Sequence, residues 1–371
     1  MAKRRGNKEG TIYQRKDGRW CAQVSLDGRR LTKYAKTQRE CREWLRETLN
    51  QIDEGLTIEG ARATLGDYLE QWLESAKSSW RPSTRRRYSG LVRQYITPGL
   101  GTVRLKDLRP DQIQSFYTSQ QEAGVSLPTI RSIHTVLHRS LNQALKWGLI
   151  TRNPASAVDK PKPKHQEMSI LDADQARALL DAAKGERFEA LYHMAVTTGL
   201  REGELLGLRW ADLDWETRRL QVQRQLQRVR GQGLVFSEPK SDTGRRSVVL
   251  GTVVLEKLKE HRERQEQQRL IAGKRWQEHN LIFPTTIGTP KDPRDLRRDF
   301  KALLQRAGLP DVRFHDLRHT AATLMLQKGV HPKVVQERLG HSTISLTLDT
   351  YSHVLPSLQE DAADKLDSLL Q

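Results

Sequence analysis

The chain has 371 residues, which is long for a single domain, so two or three domains are expected. It carries 63 Lys/Arg against 45 Asp/Glu, a formal net charge of +18, which indicates a polyanionic partner. Residues 61–164 are the most basic, with a net charge of +10, compared with +5 for residues 1–60 and +3 for residues 165–371. The two cysteines, Cys21 and Cys41, form no paired metal motif, which favours a reducing cytosol and excludes a disulfide scaffold.

The N-terminus begins Met-Ala-Lys-Arg-Arg and lacks the apolar stretch of a signal peptide. No run of about 18 apolar residues follows, so a soluble intracellular protein with a flexible basic arm at its start is expected.

Residues 10–35 are predicted to form a three-stranded antiparallel sheet, with Asp-Gly hairpin turns at 17–18 and 27–28. Thr37 and Glu40 have the spacing of a capping box, which predicts that a helix follows the sheet. The exposed sheet face is predicted either to enter a DNA major groove or to serve as a small packing module. The basic residues near that face are Arg15, Lys16, Arg19 and Arg29.

Residues 61–160 are predicted to form four helices, which begin at Thr64, Pro82, Pro110 and Pro128. Short connections between these helices are typical of a compact helical domain. The second helix contains three consecutive arginines that are candidates for DNA contact, Arg85, Arg86 and Arg87. The segment Lys160–Lys164, Lys-Pro-Lys-Pro-Lys, predicts a stiff basic linker.

The remaining residues, 165–371, are predicted to form the largest domain. Apolar residues alternate from Leu220 to Leu226, which predicts one strand with one buried face. Turns at 231–233 and 241–244 lead into two further strands. Helices are predicted at 172–184, 188–198, 252–270, 293–307, 316–328 and 332–339. The predicted fold class is a multidomain α+β chain, in which a small three-stranded sheet with a helix precedes an all-helical domain. A mainly helical domain with a small antiparallel sheet follows them.

Four segments of this last domain carry polar residues suited to holding one phosphate. They are Thr198-Gly-Leu-Arg-Glu-Gly-Glu-Leu205, Pro239-Lys-Ser-Asp-Thr-Gly244, His315-Asp-Leu-Arg-His319 and Leu339-Gly-His341, with Tyr351 ten residues beyond. Phosphoryl transfer needs cations on the non-bridging oxygens, an in-line nucleophile and an acid for the leaving oxygen. Arginines, a tyrosine and a lysine supply these without a metal. His315 and His319 also have the spacing of two metal ligands, but no third ligand accompanies them and Arg318 would place a cation beside the metal.

Taken together, these segments closely resemble the signature of the tyrosine recombinases of the phage integrase family. The resemblance extends along essentially the whole chain and implies a site-specific DNA recombinase that integrates or excises a mobile element, such as a phage. It implies that Arg201 and Arg318 clamp the scissile phosphate, that His341 binds it, and that Tyr351 attacks it to form a 3′-phosphotyrosyl bond. It further implies that His315 assists proton transfer and that Lys240 protonates the leaving 5′ oxygen, with Lys257 and Lys259 as weaker alternatives. Glu204 is expected to support Arg201, and no metal or cofactor is implied.

The layout resembles integrases with an arm-binding domain. Residues 1–60 would bind arm-type sites, residues 61–160 would bind the core site, and residues 165–371 would hold the catalytic centre. The resemblance implies a homotetramer on double-stranded DNA that exchanges C-terminal tails, with accessory DNA-bending or directionality proteins, in the cytoplasm of a bacterial host at the nucleoid. The predicted docking tail has apolar residues at helical spacing, Leu355, Leu358, Ala362, Leu366 and Leu369, and packing of this tail on its own domain is the alternative.

Three other functions are weighed against this one. A type IB topoisomerase uses similar chemistry as a monomer, but the N-terminal sheet domain and the leucine-bearing tail argue against it. A resolvase of replicon dimers would more often lack the arm-binding domain. A DNA-binding regulator with an inactive site is the candidate from a different class, and the intact set of six residues argues against it.

Overall fold

The structure is a computed structural model that describes residues 10–26, 29–53, 63–162, 169–239, 244–351, 366–368 and 370. The chain divides into two compact units, residues 1–165 and 166–371. Within the described ranges, no helix is long and apolar enough to cross a membrane.

The first unit begins with the predicted antiparallel sheet. Its strands are β1 (Thr11–Gln14), β2 (Trp20–Leu26) and β3 (Arg29–Ala35), in the order β1-β2-β3, and helix α1 (Gln38–Asp53) follows them. The first turn places Gly18 at a φ of +80°, a conformation that glycine adopts without strain. The second predicted turn, at 27–28, lies outside the described residues. The Glu40 N–H donates to Thr37 Oγ1 at 3.3 Å, as the capping box predicts.

Four helical segments complete the first unit, and their predicted starts are confirmed. Helix α2 (Leu65–Ser75) begins after Thr64, whose Oγ1 accepts the Asp67 N–H at 3.2 Å. Prolines lie in the first turns of α3 (Pro82–Leu91), α5 (Pro110–Glu122) and α6 (Leu127–Lys146). In the second segment, α3 continues through a π-helical turn, Val92–Ile96, into α4 (Thr97–Leu100). One buried apolar core joins these helices, with Leu65, Ile96, Ile113, Ile133 and Leu137 at its centre.

The second unit is mainly helical, as predicted. Its helices are α7 (Ala173–Ala182), α8 (Glu189–Thr198), α9 (Glu202–Gly207), α10 (Thr252–Ala272), α11 (Pro293–Arg306), α12 (Asp316–Gln327), α13 (Pro332–Leu339) and α14 (Ile344–Tyr351). Strands β4 (Leu213–Asp214), β5 (Arg219–Val222) and β8 (Arg246–Val249) form one antiparallel sheet in the order β4-β5-β8. Strands β6 (Gln225–Val229) and β7 (Gly233–Ser237) form a separate two-stranded ribbon.

The prediction of a single strand from Leu220 to Leu226 is wrong. The chain breaks at 223–224, and Arg224 turns aside to pair with the buried carboxylate of Asp212. Beyond the break, β6 packs closely on α9, where a Cβ added to Gly203 would lie 2.7 Å from the Leu226 carbonyl oxygen. Alternation of apolar residues predicts which face is buried, but it does not reveal that two short strands belong to different sheets.

Candidate active site

The first arginine of the site, Arg201, is fixed at the start of a helix. Helix α8 ends at Gly199, which has a left-handed φ of +64°, and Arg201 is the N-cap of α9. The Arg201 N–H donates to Glu204 Oε2 at 2.9 Å, and its Nη1 donates to Oε1 of the same carboxylate at 2.8 Å. The Arg201 side chain remains 38% exposed, so its guanidinium is accessible to an anion.

Glu204 holds Arg201 in place and is itself held by a second arginine. The Arg246 Nη2 and Nη1 atoms donate to the two Glu204 carboxylate oxygens at 2.9 and 3.2 Å. Burial by itself would raise the pKa of the Glu204 carboxyl, but the hydrogen bonds and charge of Arg246, together with the charge of Arg201, hold that pKa below its usual value. The carboxylate is therefore ionised at neutral pH and contacts Arg201, and its supporting role in the reaction stays a prediction.

The second predicted phosphate ligand, Arg318, lies in α12 and contacts the segment that carries Arg201. Its Nη1 donates to the Gly199 carbonyl oxygen at 2.8 Å, and the residue is only 3% exposed. Arg201 Nη2 in turn donates to the Gly340 carbonyl oxygen at 3.2 Å, next to His341. Three segments that are remote in sequence thus meet, and they bring both arginines and His341 to one place.

His341 follows a helix end and is tightly held. Helix α13 ends at Gly340, which has a left-handed φ of +68°, and the His341 N–H then donates to the Gln336 carbonyl oxygen at 3.1 Å. The His341 Nδ1 lies 2.9 Å from Thr347 Oγ1. Burial, followed by the charges of Arg318 and Arg201, lowers the pKa of His341 to about 4. The imidazole is therefore neutral at neutral pH.

His315 caps the start of α12, one turn before Arg318. Burial, followed by the nearby His319 and Arg318, lowers the pKa of the His315 imidazole, and Arg201 contributes further. The His315 side chain is exposed, so solvent screens these interactions. The His315 and His319 rings lie 5.6 Å apart, edge to face. Among the residues that the structure describes, no group of three or more His, Cys, Asp or Glu side chains is placed to hold a metal ion.

The structure describes only part of the predicted nucleophile, Tyr351, and does not describe the predicted acid, Lys240. Tyr351 is the last residue of α14, and its side chain lies outside the described part of the structure. Lys240 belongs to residues 240–243, which also lie outside it. The ends of that loop are close together, because a Cβ added to Gly244 would lie 2.5 Å from the Pro239 Cβ.

The two alternative lysines lie in α10 and have other surroundings. Lys257 pairs with the buried Glu189 at 2.9 Å and with Glu260 at 3.1 Å, so it serves as a structural cation. Lys259 is exposed and lines a surface groove beside Trp215. Lys240 therefore remains the predicted acid.

Sequence reasoning missed Arg246 and Thr347. Arg246 is buried on β8, on the same strand face as the buried Val248. An arginine at an inward position of an alternating strand needs a carboxylate partner, and this signal was present in the sequence. Thr347 has no comparable signal, because its contact with His341 depends on how α14 returns to the end of α13.

The basic residues predicted to contact DNA all belong to the first unit. Arg15 and Arg19 lie over the Tyr34 ring, with guanidinium carbons 4.8 and 5.9 Å from its centroid. Lys16 is exposed, and the Arg29 side chain lies outside the described residues. Of the three arginines in α3, Arg86 and Arg87 are exposed, and Arg85 is partly covered and lies 3.5 Å from Glu74.

Comparison with known proteins identifies the family. Residues 169–357 match the phage integrase family, and residues 64–119 match the phage integrase N-terminal SAM-like domain. A tyrosine recombinase XerC-like protein of Caldanaerobacter subterraneus subsp. tengcongensis is 34% identical over 355 residues, covering 91% of each chain. An integrase of Saccharopolyspora erythraea is 29% identical over 426 aligned positions, covering 98% of this chain and 97% of the relative.

Solved structures share the fold. The Tn1549 transposon integrase, solved with transposon right end DNA, is 23% identical, with a TM-score of 0.71 over 83% of this chain and 100% of that chain. A lambda integrase dimer bound to a COC′ core site is 20% identical, with a TM-score of 0.58 over 94% of this chain and 96% of that chain. The chain belongs to the phage integrase family of tyrosine recombinases and is a site-specific recombinase that cuts and rejoins DNA.

Proposed function

We propose that Tyr351 is the nucleophile of the recombination reaction and that Arg201 and Arg318 clamp the scissile phosphate. The observation that carries this proposal is the convergence of both arginines with His341 through the carbonyl groups of Gly199 and Gly340. In the cleavage step the tyrosine oxygen bonds to phosphorus and the bond to the 5′ oxygen breaks. A 3′-phosphotyrosyl bond and a free 5′ hydroxyl result, and rejoining reverses these steps without added energy.

The two histidines have different roles in this proposal, since His341 binds the phosphate and His315 transfers a proton. His341 is neutral at neutral pH because burial and two nearby arginines lower its pKa. A neutral imidazole donates one hydrogen bond to the phosphate and adds no charge to the clamp. His315, whose pKa is lowered by burial and neighbouring cations, is the base that takes the proton from the tyrosine.

The proposed acid is Lys240, which gives its proton to the leaving 5′ oxygen. Support comes from the base of its loop, where Arg246 Nη1 donates to the Gly244 carbonyl oxygen at 3.2 Å. The same guanidinium holds Glu204, and through it Arg201. Gly244, which follows the segment of the proposed acid, is thus linked to the residues of the proposed clamp.

We further propose three domains for DNA binding, with residues 1–60 on arm-type sites, 61–160 on the core site and 165–371 at the scissile phosphate. The net charge of +10 on residues 61–164 supports the core-site role, because phosphate contacts dominate DNA affinity. The exposed Tyr13 and Tyr34, with Arg15 and Arg19, form a polar and basic face on the N-terminal sheet that suits a DNA groove.

The proposed assembly is a homotetramer on two DNA sites, joined by C-terminal tails. The lambda integrase has been solved as a tetramer bound to a Holliday junction, with a TM-score of 0.57 to this chain. In the tail, Leu366 and Leu370 are 60% and 80% exposed, whereas Leu355, Leu358, Ala362 and Leu369 lie outside the described residues. Accessory DNA-bending or directionality proteins and a bacterial host complete this proposal.

Covalent trapping tests the proposed nucleophile. Nicked duplexes that carry the junction sequence of the encoding element release a short strand after cleavage, so the covalent adduct accumulates. Wild type is expected to form a denaturant-resistant protein–DNA adduct, and Tyr351→Phe is expected to bind the duplex without forming one. Adduct formation by Tyr351→Phe would remove Tyr351 as the nucleophile.

A further inference from the structure

His341 is held at two places, by two hydrogen bonds on its backbone and one on its ring. Gln336 Nε2 donates to the His341 carbonyl oxygen at 3.1 Å, while the Gln336 carbonyl accepts the His341 N–H at 3.1 Å. The ring contact is the 2.9 Å hydrogen bond between Nδ1 and Thr347 Oγ1. Gln336 fixes where the residue lies, so the threonine is left to fix the orientation of the imidazole.

The partner of Nδ1 decides what the other ring nitrogen presents. A neutral imidazole carries one N–H, and the Thr347 hydroxyl can donate to Nδ1 or accept from it; when it donates, the ring proton lies on Nε2. Only that tautomer donates from Nε2 to a phosphate oxygen. The opposite tautomer would point a lone pair at the anion and repel it. Thr347 is fully buried, so water does not compete for this hydrogen bond.

The same contact also reaches the helix of the nucleophile. Thr347 lies in α14, and Tyr351 ends this helix four residues later, about one helical turn away. The hydrogen bond therefore ties the backbone of the nucleophile's helix to the histidine that binds the phosphate.

We propose that Thr347 is a positioning residue, which holds His341 in the tautomer that donates from Nε2 to the scissile phosphate. This inference rests on the proposed function of His341 and Tyr351. Thr347 itself touches neither the phosphate nor the leaving group, so its effect must pass through His341.

A double-mutant cycle separates this role from simple packing. Thr347→Val keeps the branched shape and removes the hydroxyl, Thr347→Ala removes the hydroxyl and some packing, and Thr347→Ser keeps the donor. Each is made in wild type and in His341→Leu, which has no Nδ1. Single-turnover adduct formation is followed on nicked junction duplexes, with the Kd for the same DNA and the melting temperature measured beside it.

Loss of the hydroxyl is expected to slow adduct formation about 10-fold or more, and Thr347→Ser is expected to stay within about threefold of wild type. In the His341→Leu background, Val and Ala are expected to add less than about a threefold further loss. Within each background, replacing Thr347 should leave the Kd for DNA unchanged. Equal losses in both backgrounds, or no loss in wild type, would overturn the proposal and leave Thr347 a packing residue. If wild type forms no adduct on these duplexes, the proposed function itself fails, and this outcome is distinct from failure of the Thr347 proposal.

Discussion

The Arg246 guanidinium donates two hydrogen bonds to the Glu204 carboxylate. Both side chains are almost completely buried, since that of Arg246 is 7% exposed and that of Glu204 is 2% exposed. The third donor of Arg246, Nε, reaches the Arg338 carbonyl oxygen at 2.7 Å. One arginine thus joins the helix that begins after Arg201, the end of the loop that contains Lys240, and the helix that precedes His341. A buried pair in which all three guanidinium nitrogens are hydrogen-bonded specifies one arrangement of these segments.

Replacing Arg246 should therefore damage catalysis more than DNA binding. Arg246→Met leaves the buried Glu204 carboxylate without its main partner, which costs about 3–5 kcal/mol of folding free energy. Arg246→Lys keeps the charge but loses the paired geometry, and it is expected to slow cleavage about 10-fold or more. Urea unfolding and single-turnover cleavage measure the two effects.

The neighbouring Arg245 provides a matched control. It is 58% exposed and pairs with Glu238 at the surface, so Arg245→Met should change stability by less than about 1 kcal/mol. If Arg246→Lys cleaves as fast as Arg245→Met, the buried pair does not position the site.

Lys240 is predicted to accelerate cleavage only when the leaving group needs a proton. Lys240→Ala should slow cleavage of a normal phosphodiester about 100-fold or more, within the range for general acid catalysis. A substrate with sulfur in place of the bridging 5′ oxygen leaves as a thiolate and needs no acid. On that substrate Lys240→Ala and wild type should react at similar rates, and a persistent deficit would assign the proton to another group.

The lowered pKa of His341 predicts how stability depends on pH. Its folded pKa of about 4 lies below the ordinary value of 6.5, so the unfolded chain binds this proton first as pH falls. The contribution of His341 to the free energy of unfolding is complete above pH 6.5. It is lost as the pH falls from 6.5 to about 4, at up to about 1.4 kcal/mol per pH unit. Urea unfolding at pH 7 and pH 5 should show a smaller loss for His341→Gln than for wild type. Equal losses would mean that His341 titrates normally in the folded protein.

The basic face of the N-terminal sheet is predicted to bind DNA independently of cleavage. A double variant that carries glutamine at Arg15 and at Arg19 should bind duplexes with arm-type sites more weakly. The dependence of log affinity on log salt concentration should become shallower by an amount that corresponds to about two phosphate contacts. Binding and cleavage of core-only duplexes should persist. The control is Arg39→Gln combined with Arg42→Gln, because both arginines are exposed on α1 and their loss removes the same charge. Equal losses from this control variant would indicate a general charge effect.

Local signals in the sequence predicted most secondary structure correctly. Thr37 and Thr64 cap helices, and Pro82 and Pro110 begin them, because these effects depend on a few neighbouring residues. The strand predicted to run through Leu226 is interrupted at Arg224, because this arginine pairs with the buried Asp212. Asp212 lies outside the alternating segment, so the alternation does not reveal this pairing. Division of the first unit into two domains remains a prediction.

The sequence by itself determined the chemistry that is available. The spacing of Arg201, His315, Arg318, His341 and Tyr351 forms a signature that identifies the family without coordinates. Only the tertiary structure decided how these groups are held. Arg246 pairs with Glu204, which is distant in the chain. Thr347 contacts His341 only because α14 turns back toward the end of α13. Local spacing in the sequence defines neither contact. Arg246 and Arg201 keep the buried Glu204 ionised, and burial with the neighbouring arginines keeps His341 neutral, because desolvation and neighbouring charges exist only after the chain has folded.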